Sequence, residues 1–139
     1  MDDKPELTVN VVTPDGNVYE DTSDLVICKT TQGEIGIMAN RLPLLASLAI
    51  DEIRVRKGDQ QFDEIAVSGG FIEFSNNVLS VISSAAERKE NIDAKRAERA
   101  RQRAQERVKK AKQAHNPDEL RRAEVSLRRA LNRLNISSH

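Results

Sequence analysis

Apolar and polar residues alternate through the first part of the chain, and the period then changes. The stretch "LTVNVVTPDGNVYE" (residues 7–20) alternates on both sides of Pro14-Asp15-Gly16-Asn17, which predicts two strands joined by a hairpin turn. "DLVICKTTQGEIGIM" (24–38) is a β-branched run broken at Gln32-Gly33. "IDEIRVRKGDQQFDEIAVSGGFIEFSNNVLSVI" (50–82) predicts four short strands, with turns at Lys57-Gly58-Asp59, Ser68-Gly69-Gly70 and Ser75-Asn76-Asn77. Strands at this spacing, with no helical pattern between them, predict an antiparallel β-sandwich or flattened barrel.

Beyond Val81-Ile82 the apolar positions recur every three or four residues. From Asp93, Ala97, Ala100, Ala104, Val108, Ala111 and Ala114 share one helix face. "HNPDEL" is a stop and restart, with Asn116 as N-cap, Pro117 at the first helical position, and Asp118 and Glu119 at the electropositive start. Leu120, Ala123, Leu127, Leu131 and Leu134 then predict a second amphipathic helix. The short loop between them predicts an antiparallel hairpin. Alanine buries little area at about 25 cal/mol per Å², whereas alanine and arginine favour helix intrinsically. The pattern implies stable helices held together weakly. The fold class is thus two-domain α+β: a sandwich over residues 1–87 and a helical hairpin over 88–139.

Charge sharpens this division. The chain of 139 residues has 22 basic and 22 acidic side chains. Residues 1–87 hold 6 Lys and Arg against 15 Asp and Glu, whereas residues 88–139 hold 16 against 7. Within "NIDAKRAERARQRAQER" (91–107) stand five arginines and a lysine. A basic helical region is the usual footprint of nucleic-acid binding. Here Glu98, Glu106 and Glu124 interrupt it, and the basic part contains no Phe, Tyr or Trp for base stacking. A free-standing nucleic-acid module is the weakest reading, and a solvated Arg/Glu helix face is the simpler alternative.

Other chemistries find little support. The longest apolar run, residues 42–50, is broken by Pro43 and Ser47 and falls short of the ~20 residues of a membrane-spanning helix. The acidic opening Met1-Asp2-Asp3-Lys4-Pro5-Glu6 reads as neither a signal nor a transit peptide. A single cysteine, Cys28, allows no internal disulfide and suits a reducing compartment; between apolar neighbours it reads as a buried thiol. His115 and His139 lack partners at metal-ligand spacing. No nucleophile stands in a triad context, and Gly69-Gly70 follows a strand without opening a helix. The expectation is a protein with no catalytic residues and no bound metal.

"GEIGIMANRLPLLASL" (33–48), followed by "AVSGGFIEFSNNVLSVISSAAERKENID" (66–93), resembles the epsilon subunits of the rotary, proton-translocating ATP synthases of bacteria and chloroplasts. The likeness rests on Gly-Glu-x-Gly-Ile, Pro-Leu-Leu, Ser-Gly-Gly-Phe-x-Glu and Ala-Glu-Arg ahead of an Ile-Asp-opened helix. It extends to "RRALNRL" (128–134). The resemblance implies a sandwich of about ten strands and a two-helix hairpin. It implies a non-catalytic subunit whose sandwich binds the gamma subunit and rests on the c-ring, at the cytoplasmic face of the cell membrane. It also implies a hairpin that moves between a compact state and an extended state that enters the alpha/beta head and inhibits ATP hydrolysis.

The family pattern places the c-ring contact in the loop 34–45, at Glu34, Asn40 and Arg41. This chain departs from it with Ala39 in place of the commoner proline and Arg41 in place of histidine. Arginine stays charged, so a histidine's sensitivity to neutral pH does not carry over. Some relatives also bind ATP, with Mg²⁺ optional, through Ile/Leu-Asp-x-x-Arg-Ala and later arginines. Ile92, Asp93, Arg96 and Ala97 match that opening, Arg103, Arg129 and Arg133 match the later arginines, and Glu87 matches a carboxylate before the helices. Folding the hairpin would gather four guanidinium groups, which a triphosphate would neutralise. Asp93 and Glu87 would then face adenine or ribose. The same subunit without a nucleotide site, its arginines meeting the catalytic head instead, is the alternative. No cofactor is required in either case. The absence of a transit segment and the arginine motif point to bacteria rather than mitochondria.

Overall fold

In the computed structural model, residues 4–139 are described; Met1-Asp2-Asp3, part of the acidic opening noted above, lies outside the described residues. The chain forms two compact units, one ending at Lys89 and the other beginning at Glu90. The first unit extends past the charge boundary because Ala86–Arg88 is itself a strand, paired with the sheet.

The first unit contains eight strands: β1 (Leu7–Thr13), β2 (Gly16–Ser23), β3 (Val26–Thr30), β4 (Gly33–Ile37), β5 (Leu44–Gly58), β6 (Gln61–Ser75), β7 (Val78–Ile82) and β8 (Ala86–Arg88). Their order is β2-β1-β7-β6-β5-β3-β4, with β8 also on β6. The turns at 14–15, 31–32, 59–60 and 76–77 fall at the expected sites. Three expectations are corrected. The described residues form eight strands rather than about ten, and Ser68-Gly69-Gly70 is no turn, because β6 runs straight through it. The sheet is also not wholly antiparallel, since β1 and β7 pair in parallel from Thr8↔Val78 to Val12↔Ile82.

The two long strands show how one sheet closes over a core. Along β6 the residues in the hydrophobic core are Ile65 and Val67, then Ile72 and Phe74, so the inward phase shifts between them. At that shift Gly69 and Gly70 have φ of 78° and 105°, values that L side chains rarely adopt. The N-terminal half of β6 pairs with β8 and the C-terminal half with β7. Ser83 spans the break between β7 and β8. Its hydroxyl donates to the Ala85 carbonyl at 2.9 Å and accepts from the Ser68 amide at 3.2 Å. Buried Ser83 and the bent backbone therefore leave few polar groups unsatisfied at the crossing.

The core comprises alternate residues of these strands: Leu7, Val9 and Val11 of β1, Val26 and Cys28 of β3, Ile53 and Val55 of β5, and Leu79 and Val81 of β7, all almost wholly buried. Burial pushes the Cys28 thiol up to about 12, so it is an inert core side chain. At one end, the Arg56 guanidinium donates to both oxygens of Asp24 at 2.9 and 3.0 Å, and buried Ser23 donates to the Arg56 carbonyl. Those hydrogen bonds hold the Asp24 carboxyl below the usual carboxylate range.

The second unit is an antiparallel pair, α1 (Ala94–Gln113) and α2 (Pro117–Ser137). Asn116 caps α2 by accepting from the Glu119 amide at 3.2 Å, with Pro117 following at the first helical position. Asp93 caps α1, accepting from the Arg96 amide at 3.1 Å. The seam is narrower than the hydrophobic pattern predicts. Ala97, Ala104 and Ala111 of α1 and Ala123 and Ala130 of α2 are buried at seven-residue intervals. Leu120, Leu127 and Leu134 are only half-buried. Leu131, expected on the apolar face, is 44 % exposed, and Ala114 is the exposed C-cap of α1. Small residues let the helices approach closely, and that leaves the leucines to flank the seam, while Ile136 near the end of α2 is a large side chain that is fully buried. No described helix is long and apolar enough to cross a membrane.

Two outcomes follow. A Cβ on Gly70 would lie 2.0 Å from the Ile82 carbonyl oxygen and 2.9 Å from Ser83 Cα, both backbone atoms. Gly70→Ala is expected to cost more than about 2 kcal/mol in denaturant unfolding, whereas Gly36→Ala, which meets only a leucine methyl, costs less than about 1. Since the native Asp24 pKa is lowered, its contribution to stability is complete above about pH 4 and is lost as pH falls through the native value. The thermal midpoint of Asp24→Asn should therefore decline less steeply below pH 4 than that of the wild type.

Candidate functional site

Two surfaces carry the residues singled out by the sequence. The first is the side of the hairpin on which the arginines gather. Successive helix residues turn by about 100°, so positions one before and three after a buried alanine lie to the same side of the seam. On α1 these positions hold Arg96, Ala100, Arg103, Arg107, Lys110 and Ala114; on α2 they hold Arg122, Ser126, Arg129 and Arg133. In an antiparallel pair these two sets face the same way. The contacts agree: Arg107 donates to Glu119 Oε1 through Nε at 3.1 Å and Nη2 at 2.8 Å, and to Ser126 Oγ at 3.3 Å. The four predicted arginines therefore share one side, with Arg103 and Arg129 at similar height along the hairpin.

Ion pairs divide the arginines of the hairpin into two groups. Arg101, on the opposite side, is held by Glu98 one turn earlier, which keeps the Glu98 carboxyl below its ordinary range. Arg121 pairs with Asp118. Among the described residues, no carboxylate pairs with the guanidinium groups of Arg96, Arg103 or Arg129, nor with those of Arg99, Arg122 and Arg128, and all six side chains are exposed. Arg133 is half-buried. Of the remaining candidates, Ala97 is buried in the seam, Ile92 is half-buried, and Asp93 uses one oxygen as the helix cap. Glu87 lies on β8, in the other unit, paired across from Ala66. Arg107 and Ser126 escaped the sequence reading. Their signal was the offset of three from Ala104 and Ala123, which becomes visible only once the alanines are known to form the seam.

The second surface is the loop 38–43 between β4 and β5. Glu34 is exposed on β4, and Arg41 is exposed in the loop. Asn40 adopts φ 66°, and although exposed it is engaged by Asn77 through both its backbone N–H and its side chain. Its amide donates to Asn77 Oδ1 at 2.6 Å, and Asn77 Nδ2 donates to Asn40 Oδ1 at 3.1 Å. Asn77 is itself fixed at φ 61°, its carbonyl accepting from the Thr8 amide at 2.9 Å. Held this way, the segment exposes three apolar side chains that sequence reasoning passed over: Met38, Leu42 and Leu45, the last two more than two-thirds exposed. Three exposed apolar side chains within eight residues, with Arg41 among them in sequence, mark this segment as a candidate contact surface.

Residues 6–89 match the family described as the ATP synthase delta/epsilon chain β-sandwich domain, and residues 90–138 match that of the delta/epsilon chain long α-helix domain. The chain belongs to the ATP synthase delta/epsilon family, whose members are non-catalytic subunits of the synthase. Within it the chain is similar to bacterial epsilon chains. That of Ligilactobacillus salivarius is 73 % identical over 139 residues, the whole of both chains, and that of Levilactobacillus brevis is 51 % identical over 99 % of each. In fold it is similar to a chain of the Euglena gracilis mitochondrial ATP synthase, in a structure of OSCP, F1 and c-ring. There the TM-score is 0.77 at 19 % identity, over 99 % of this chain and 85 % of that one.

The clasp between the two asparagines has a direct consequence. Asn77→Gly, which tolerates φ 61°, removes the acceptor for the Asn40 backbone amide, worth about 1 kcal/mol. Hydrogen exchange at Asn40 should accelerate about fivefold, with the exchange of β1 and β7 unchanged. Unaltered exchange at Asn40 would show that the loop is held by other contacts.

Proposed function

We propose that this chain is a central-stalk subunit of a bacterial F-type ATP synthase, with a docking sandwich and a nucleotide-responsive hairpin. The sandwich binds the gamma subunit and rests on the c-ring through the segment 34–45, where Leu42 of the loop and Leu45 at the start of β5 supply apolar contact and Arg41 a fixed positive charge. The chain thereby sits at the cytoplasmic face of the membrane as a peripheral component and helps couple proton-driven ring rotation to ATP synthesis in the head.

The nucleotide reading is carried by one observation: Arg96, Arg103 and Arg129 fall on one side of the alanine seam, and none of them has a carboxylate partner. Bringing like charges together costs free energy, and an anion with several oxygens in a row relieves it. The triphosphate of ATP fits that requirement, with or without Mg²⁺. Arginine forks bind its oxygens, and Arg133 completes the set. The remaining oxygen of Asp93 and the Ile92 side chain flank the entry to α1, where they would meet ribose and base. Bound ATP stabilises the closed hairpin by mass action. When ATP is scarce the seam opens; helices rich in alanine and arginine persist without each other. Released, they enter the alpha/beta head and inhibit hydrolysis, their basic surface turned to acidic partners.

Isothermal titration of the full chain with ATP tests this reading, with and without Mg²⁺. Saturable binding is expected, weakened about tenfold or more by Arg103→Ala or Arg129→Ala, the loss of one charge-assisted contact. No heat at millimolar ATP would leave the coupling subunit without a nucleotide site, its arginines then reserved for the catalytic head.

A further inference from the structure

The arginine side of the hairpin contains an acid of its own. Glu119 lies four residues before Ala123, which puts it on the same side as Arg103 and Arg129. Both Nε and Nη2 of Arg107 converge on Glu119 Oε1, and the remaining nitrogen reaches Ser126 Oγ. Arg107 stands one turn from Arg103 on α1, and Ser126 one turn from Arg129 on α2. The pair therefore bridges the two helices directly beside the unpaired guanidinium groups.

We infer that Glu119 is an internal competitor that sets the affinity of this side for polyphosphate anions, by occupying Arg107 in the free chain. The inference rests on the nucleotide reading above and extends it. A triphosphate seated between Arg103 and Arg129 gains a further guanidinium only by exchanging with Glu119. Until it does, the carboxylate both withholds Arg107 and repels the incoming charge. The exchange is feasible because the pair is accessible to water: the Arg107 and Glu119 side chains are 44 % and 36 % exposed. An exposed pair contributes at most about a fivefold factor to any equilibrium, so phosphate can displace it. Glu119 is also doubly placed for this role, since its backbone amide is fixed by the Asn116 cap and its side chain has a defined origin. Removing its charge should make the hairpin a tighter binder, a gain that a purely structural ion pair would not produce.

Titration of the full chain with ATP tests this on four proteins: wild type, Glu119→Gln, Arg107→Ala and the double variant, with Arg103→Ala as reference. The expected result is binding about two- to fivefold tighter in Glu119→Gln. Arg107→Ala should bind more weakly than wild type, and in that background Glu119→Gln should gain little. The non-additivity is the signature of a shared partner. Circular dichroism showing wild-type helicity for each variant excludes a folding effect. Equal or weaker binding by Glu119→Gln would overturn the inference, as would the same gain with and without Arg107, which would reduce Glu119 to a diffuse charge. If wild type binds and Arg103→Ala weakens it while Glu119→Gln changes nothing, the nucleotide site stands and the competitor falls. Absence of saturable binding in every protein, Glu119→Gln included, would remove both.

Discussion

The alanine seam of the hairpin is the constraint from which the functional chemistry follows. Five alanines spaced by sevens let two helices approach closely, and close approach has two effects. Little apolar area is buried, so the hairpin is held with a modest margin. The residues beside each alanine are also forced to share a narrow side, and in this chain most of them are arginines. A wider seam of leucines would hold the helices firmly and set those cations apart. A weak closure and an unsatisfied charge cluster therefore share one cause, and an anion that binds the cluster reinforces the closure.

The sandwich depends in a comparable way on a single backbone approach. At Gly69-Gly70 the β6 strand changes its inward phase and its partner, from β8 to β7, with Ser83 and Ala85 satisfying the amide at the break. The crossing holds β8 against β6 up to the point where the chain leaves for the helices. The Asn40–Asn77 clasp plays the same part at the loop 38–43, where two residues with positive φ lock each other and leave apolar side chains outward. In each place a few polar contacts define the geometry, and the surface presented to a partner consists of other residues.

Much of this was legible in the sequence. The change of period near residue 82, the Asn116-Pro117 restart and most turns follow from local rules that tertiary structure had no reason to override. The long β5 and β6 strands were not legible, because a glycine pair reads as a turn until the partner strands on either side are known. The parallel pairing of β1 with β7 joins segments distant in sequence, and no local pattern reports it. Leu131 looked like core by period alone, yet with alanines at the seam it falls outside. At the candidate site, the four arginines could be placed on one side by arithmetic. Their neighbour Arg107 could not be told apart from them, since its distinction is an ion pair across the hairpin. Asp93 and Asn40 were read as ligand contacts, and the structure shows each also committed to holding its own backbone.

The central claim is that one side of the hairpin is a polyphosphate site. The most direct measurement is the arginine Nε–Hε spectrum of the isotopically labelled full chain during addition of ATP. The account predicts saturable shifts at Arg96, Arg103, Arg107, Arg129 and Arg133, while Arg101, held by Glu98 on the opposite side, stays in place. Uniform small shifts across all arginines, or none, would contradict it and return the basic side to the role of a contact surface for protein partners.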